Sequence, residues 1–159
     1  MAVVIVQISD VHLGGPNEGS GDRFSDAVDA INSMTRQPDL VLVTGDLTHT
    51  GSELEWAEFG ERVEPLRAPW DAVRGNHDRR IDAHVGHRSV ELDGLHVVLL
   101  DTSTDEFTED DAAWLDTHLE RHHAEPTAIA LHHPPFETGI WWMDCVGLRG
   151  IERFEAVVR

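Results

Sequence analysis

The chain has 159 residues, the size of one domain, and is 40% hydrophobic, enough for one buried core and too short for two generous ones. Its 12 basic residues, all arginine, stand against 30 acidic ones, a net charge of −18. Such a field repels phosphate backbones and anionic lipid surfaces, so neither a nucleic-acid backbone nor a membrane is expected as a partner.

Val3 to Ile8 reads as a buried strand, a short β-branched run that leads directly into Asp10 and His12. The stretch is short and lacks a basic start and a cleavage site, which argues against a signal peptide. No run approaches the roughly 18–20 apolar residues of a membrane helix, so a cytoplasmic protein is expected. Phe24, Ala27, Val28, Ile31 and Met34 recur at helical spacing, with Asp22 as the expected cap. Leu40 to Val43 is a second buried strand. Ser52 and Glu55 form a capping box that opens a helix to about Leu66. Pro69 precedes a third strand, Trp70 to Val73. Asp93-Gly94 between Ser89–Leu92 and Leu95–Leu100 predicts a hairpin with a tight primed turn. Thr108 caps a helix carrying Ala112, Leu115 and Leu119, then Thr127 to Leu131 forms a strand and Ile151 to Val158 a last helix. Alternating strands and helices with one hairpin predict an α/β fold with a mixed sheet. The single cysteine, Cys145, excludes an internal disulfide and reads as a small buried apolar residue.

The unusual polar residues fall at strand ends. They are Asp10-Val11-His12, Gly45-Asp46, Gly75-Asn76-His77-Asp78 and His132-His133-Pro134-Pro135. In open α/β sheets ligands bind outside the carboxyl ends of strands. Carboxylate, amide and imidazole donors gathered there suit Mn, Fe, Co or Zn, and two such cations can clamp a phosphoryl oxygen. Each motif alone has a simpler reading: Asp10-x-His12 as a loop cap, Asp46 and Asn76 as turn residues. Four in order favour ligands.

Together these motifs resemble the calcineurin-like metallophosphoesterases. Thr44-Gly45-Asp46-Leu47-Thr48, His132-His133-Pro134-Pro135-Phe136 and Met143-Asp144 resemble most the branch of class III cyclic nucleotide phosphodiesterases and glycerophosphodiesterases. The resemblance implies a β-sheet sandwich flanked by helices and two divalent metal ions. Asp10 and His12 would bind the first ion, Asp46 would bridge, and Asn76 and His132 would bind the second. His77 would orient the phosphate or protonate the leaving group, and the nucleophile would be a metal-bridging hydroxide. The implied substrate is a small phosphodiester. The family pattern continues with a Gly-His-x-His motif, yet no histidine follows His133. Residues 1–159 are therefore read as a single, C-terminally truncated domain with weak metal binding and slow turnover. The alternatives are a catalytically impaired metal-binding or interaction remnant, which includes pairing between identical chains, and a nuclease of the same superfamily.

Around this core, Asp78 is expected to hold a histidine or an arginine, and His133 to stand behind the site or on its substrate side. His49 and Asp101 are assigned to structure. His84, His87, His96, His118, His122 and His123 read as solvated surface groups. Trp141-Trp142 fits either a substrate pocket or packing on the expected missing C-terminal part of the fold, with packing the simpler assignment.

Overall fold

The computed structural model describes residues 2–145 and 147–159. The element order is β1 (Ile5–Ile8), α1 (Ser20–Asn32), β2 (Leu40–Thr44), α2 (Glu53–Val63), β3 (Trp70–Val73), β4 (Arg88–Leu92), β5 (Leu95–Leu99), α3 (Glu109–Arg121), β6 (Thr127–Ala130), α4 (Trp141–Cys145) and α5 (Ile151–Val158). Two three-stranded sheets result. β1-β2-β3 is all parallel, while in β4-β5-β6 the first pair is antiparallel and the second parallel.

Strand alternation explains how these sheets stack. On β2, Leu40 and Leu42 face Val97 and Leu99 of β5, so the two sheets pack face to face. Val41 and Val43 point the other way, onto α1, α2 and the segments beside them. Val98 on β5 and Leu100 just after it turn outward onto Leu115 of α3 and Phe154 of α5. The molecule is thus a four-layer α/β/β/α sandwich, the mixed and helix-flanked fold expected from the motifs. Burying both faces of a strand requires a continuous apolar run, which is why Leu40–Thr44 is buried at every position.

Local signals act where they are strongest. Ser52 caps α2 by accepting from Glu55 N while Glu55 accepts from Ser52 N, and Thr108 and Asp111 do the same for α3. Four expectations are corrected. β1 is only half-buried, because it is an edge strand. α1 begins at Ser20 behind a left-handed Gly19, which leaves Asp22 inside the first turn instead of at the cap. α2 ends at Val63, short of Leu66. Cys145 is exposed on α4, a helix that too few residues define for periodicity to reveal. Trp141 and Trp142 on the same helix are 72% and 59% exposed, their rings in edge-to-face contact with each other. No described helix is long and apolar enough to cross a membrane.

Candidate metal centre at the strand ends

The loops after β1 and β2 are laced together by main-chain bonds. Asp10 N donates to Gly45 O (3.1 Å), His12 N to Asp46 O (2.8 Å) and Leu13 N to Leu47 O (3.1 Å). This lacing needs left-handed backbone: φ is 57° at Asp10, 49° at His12 and 51° at Asp46. Asp and His tolerate that region better than most residues, at a cost of about 1 kcal/mol each. Two glycines clear the space. A Cβ on Gly75 would stand 2.1 Å from Asp46 Oδ1, and one on Gly45 would meet the His132 ring at 2.4 Å.

Asp46, 4% exposed, is the hub. Its Oδ2 lies 3.4 Å from His12 Nε2 and 4.0 Å from His77 Nε2, and its Oδ1 lies 3.5 Å from His132 Nε2. Asp10 Oδ1 adds a second carboxylate 3.7 Å from His12 Nε2. Each imidazole is aimed by its other nitrogen where a partner exists: His132 Nδ1 donates to Thr44 O (2.9 Å), and His77 Nδ1 donates to His49 O (2.5 Å). Carbonyl acceptors at Nδ1 leave the Nε2 lone pairs free, the arrangement that metal-binding histidines need.

Asp10, Asp46 and His132 offer donor atoms within 4.8 Å of one another, and so do His12, His49 and His77. Asn76 opens a 3₁₀ turn (Asn76–Asp78) and lines the same open cavity of about 280 Å³, with Asp10, His12, Asp46, His77, His132 and His133. All the residues that the motifs select therefore meet in one place. His49 was assigned to structure but belongs here, its ring stacked on His77 at 5.1 Å and its carbonyl fixing the His77 tautomer. Its position three residues beyond Asp46, in the same strand-end loop, is the signal that finds it.

Behind the donors, Asp78 corrects another expectation. It is fully buried and holds no histidine or arginine; it accepts from Leu47 N, Thr48 N, Thr48 Oγ1 and Gly75 N. It therefore staples the Asp46 loop to the Asn76 loop. His133 contacts Thr102 Oγ1 through Nδ1 (2.9 Å) and Asp105 through Nε2 (3.2 Å). Burial and the neighbouring His132 lower its pKa, which favours the neutral ring. Burial works against charge on His132 and on Asp46 alike. Their mutual contact outweighs it, raising the pKa of His132 and lowering that of Asp46. Among the described lining residues there is no arginine. Two carboxylates without a cation repel a phosphate, whereas nitrogen and oxygen donors of this mix fit divalent metal ions.

The fold and the donor set define a member of a known class. The sequence profile of the calcineurin-like phosphoesterases matches residues 3–158, and the chain belongs to that family. It is 30% identical over 175 residues to a protein of Synechococcus sp. named as a probable cyclic nucleotide phosphodiesterase, covering 99% of this chain and 68% of the relative. It is 27% identical to a probable glycerophosphodiester phosphodiesterase, GpdQ, of Arcobacter nitrofigilis, covering 95% of this chain and 64% of that one. The chain thus spans about two thirds of the length of these curated relatives. The fold matches a purple acid phosphatase from yellow lupin seeds with a TM-score of 0.64, at 13% identity, over 93% of this chain and 33% of the other. The family is one of hydrolases that work with divalent metal ions.

Proposed function

We propose that this chain hydrolyses small phosphodiesters of the cyclic nucleotide or glycerophosphodiester kind, using two divalent metal ions. The observation that carries the reading is the buried Asp46 carboxylate, both of whose oxygens face imidazoles from separate strand ends. In this reading Asp10 and His12 would hold one ion and Asn76 and His132 the other, with the Asp46 carboxylate shared between them. When bound, the ions neutralise phosphate charge and lower the pKa of water toward neutrality. As an imidazolium, His77 would present Nε2–H to the substrate while its Nδ1–H stays anchored on the His49 carbonyl, fit to hold a phosphoryl oxygen or pass the Nε2 proton to the leaving oxygen. His133 and Asp78 keep the loops in place. The names of the relatives and the −18 charge, which disfavours long nucleic acids, support a small substrate.

Hydrolysis of bis(p-nitrophenyl) phosphate and of cyclic AMP, with Mn²⁺ or Co²⁺ supplied, tests the proposal. Asp46→Asn is expected to cut metal-dependent turnover by more than about 100-fold, since even an outer partner of a metal ligand is worth 10–100-fold. A folded, metal-loaded wild type with no hydrolysis of either compound favours the binding remnant and sinks the enzyme reading. So does an Asp46→Asn protein of undiminished activity.

A further inference from the structure

A second cluster of donors lies at the far end of the second sheet. Histidine 96 pairs with Thr127 at the entry to β6, whereas His132 follows the exit of that strand. Five residues of extended chain separate the two levels, roughly 16 Å. His96 follows the same alternation as Val98 and Leu100 and therefore turns toward α3. It has no exposed surface, which overturns the reading of it as a solvated group. The same correction applies more widely: His84 Nδ1 meets Asp71 at 3.1 Å and His87 Nε2 meets Asp111 at 2.8 Å. Of that set, His123 is exposed.

We propose that Glu91, His96, His122 and Glu125 form a structural site for a divalent cation of the Zn²⁺ class. Four donor atoms from these residues lie within 4.8 Å of one another. Two local pairs supply them. Glu91 and His96 are cross-strand partners in the β4–β5 hairpin. His122 and Glu125 share the turn that ends α3, with Glu125 N donating to His122 O (2.9 Å). His122 Nδ1 lies 3.4 Å from Glu125 Oε1 and 3.9 Å from Glu91 Oε1, and Glu91 Oε1 also rests against His96 Nδ1.

The ring nitrogens show that this is more than a surface ion-pair network. His96 Nδ1 and His122 Nδ1 are both buried and neither makes a hydrogen bond among the described residues. A buried ring nitrogen that faces a carboxylate without an aligned hydrogen bond is poorly satisfied, and these two turn toward the same pair of carboxylates. A cation between them would satisfy both. His96 Nε2 lies 2.6 Å from His118 Nε2, one turn of α3 before His122. Donation of Nε2–H to His118 leaves the His96 Nδ1 lone pair bare for a metal, as in other imidazole sites whose second nitrogen is held by a partner. The mouth is open, with the Glu91 and Glu125 side chains 55% and 49% exposed. Two imidazole nitrogens and two carboxylate oxygens suit Zn²⁺ or Co²⁺ better than Mg²⁺ or Ca²⁺. A bound ion would clamp the end of α3 to the hairpin. It is independent of the hydrolytic centre and takes no part in its chemistry.

The test measures ions retained per chain after dialysis against Zn²⁺ or Co²⁺, with thermal melts in the same buffers. His122→Ala and Glu91→Gln are each compared with wild type and with Asp46→Asn, which weakens the first centre only. The expected result is one ion fewer in each of the two variants, in both backgrounds, and a Zn²⁺-induced rise in Tm that both variants lose. Phosphodiester hydrolysis is expected to stay at the wild-type level. Should His122→Ala lose its far-UV circular dichroism, Glu91→Gln, at an exposed position, decides alone. Unchanged ion content and an unchanged Zn²⁺ response in the folded variants overturn the site.

Discussion

His77 rides on a turn of three residues, and the carbonyl of His49 settles which of its nitrogens is free. Its Nε2 stands 4.0 Å from Asp46 Oδ2, at the edge of the donor set. A group that acts on the substrate and not on the cations should separate turnover from metal content. His77→Gln is therefore expected to lower kcat by about 10²–10⁴-fold, the usual worth of a positioned proton donor, with the bound metal unchanged. Steady-state kinetics and metal analysis on one preparation check this; loss of metal from the variant would make His77 a ligand instead. At this scale the sequence was informative where residue types cluster by motif. Asp10, His12, Asp46, Asn76, His77 and His132 were legible because each follows an apolar run. His49 was marked only by its place three residues beyond Asp46, and His96 by nothing, since a lone histidine carries no pattern of its own. His96 could be placed only by counting two residues back from Val98 on a strand whose faces were not yet known.

Between elements, Asp78 does the joining. One carboxylate takes four hydrogen bonds from two loops, three of them from buried main-chain N–H groups. Asp78→Ala strands those donors, at about 1–3 kcal/mol for each unsatisfied group. A loss of roughly 3 kcal/mol or more is expected, seen as a lower urea midpoint with an unchanged m-value. A midpoint shift worth less than about 0.5 kcal/mol would mean that the loops hold without it. The expectation that Asp78 holds a side chain failed because motif spacing says which residues gather but not which backbone groups need acceptors. Elements themselves were legible wherever two signals agreed: the Asp93-Gly94 hairpin, the boxes at Ser52 and Thr108, and the β2 run. α4 offers five residues and neither a cap nor a stripe, so nothing announced it.

Across the whole molecule, acid should be the weak side of stability. Asp71 is held by His84, Arg88 and Ala72 N against the cost of its burial. Asp101, likewise opposed by burial, accepts from Gly86 N, Ser103 N and Arg74. Both pKa values lie below the ordinary carboxylate value in the folded chain. The unfolded chain therefore binds more protons as pH falls past about 4. The stability these two groups contribute is full above that value and is lost as pH falls below it. Urea melts between pH 7 and pH 3 should show the decline, and Asp101→Asn should be less stable at pH 7 while losing less on acidification. A pH-independent midpoint over that range would contradict this. The four-layer order was legible in part. The paired runs at β2 and β5 required cover on both faces, but which sheet met which helix depended on registers that only tertiary packing sets.

The left-handed backbone at Asp10, His12 and Asp46 bears on how such a chain can drift under mutation. Glycine would relax the backbone at all three positions. A carboxylate or imidazole at each instead places a strained backbone under a donor of the candidate centre, so a glycine there would ease the backbone and remove that donor together.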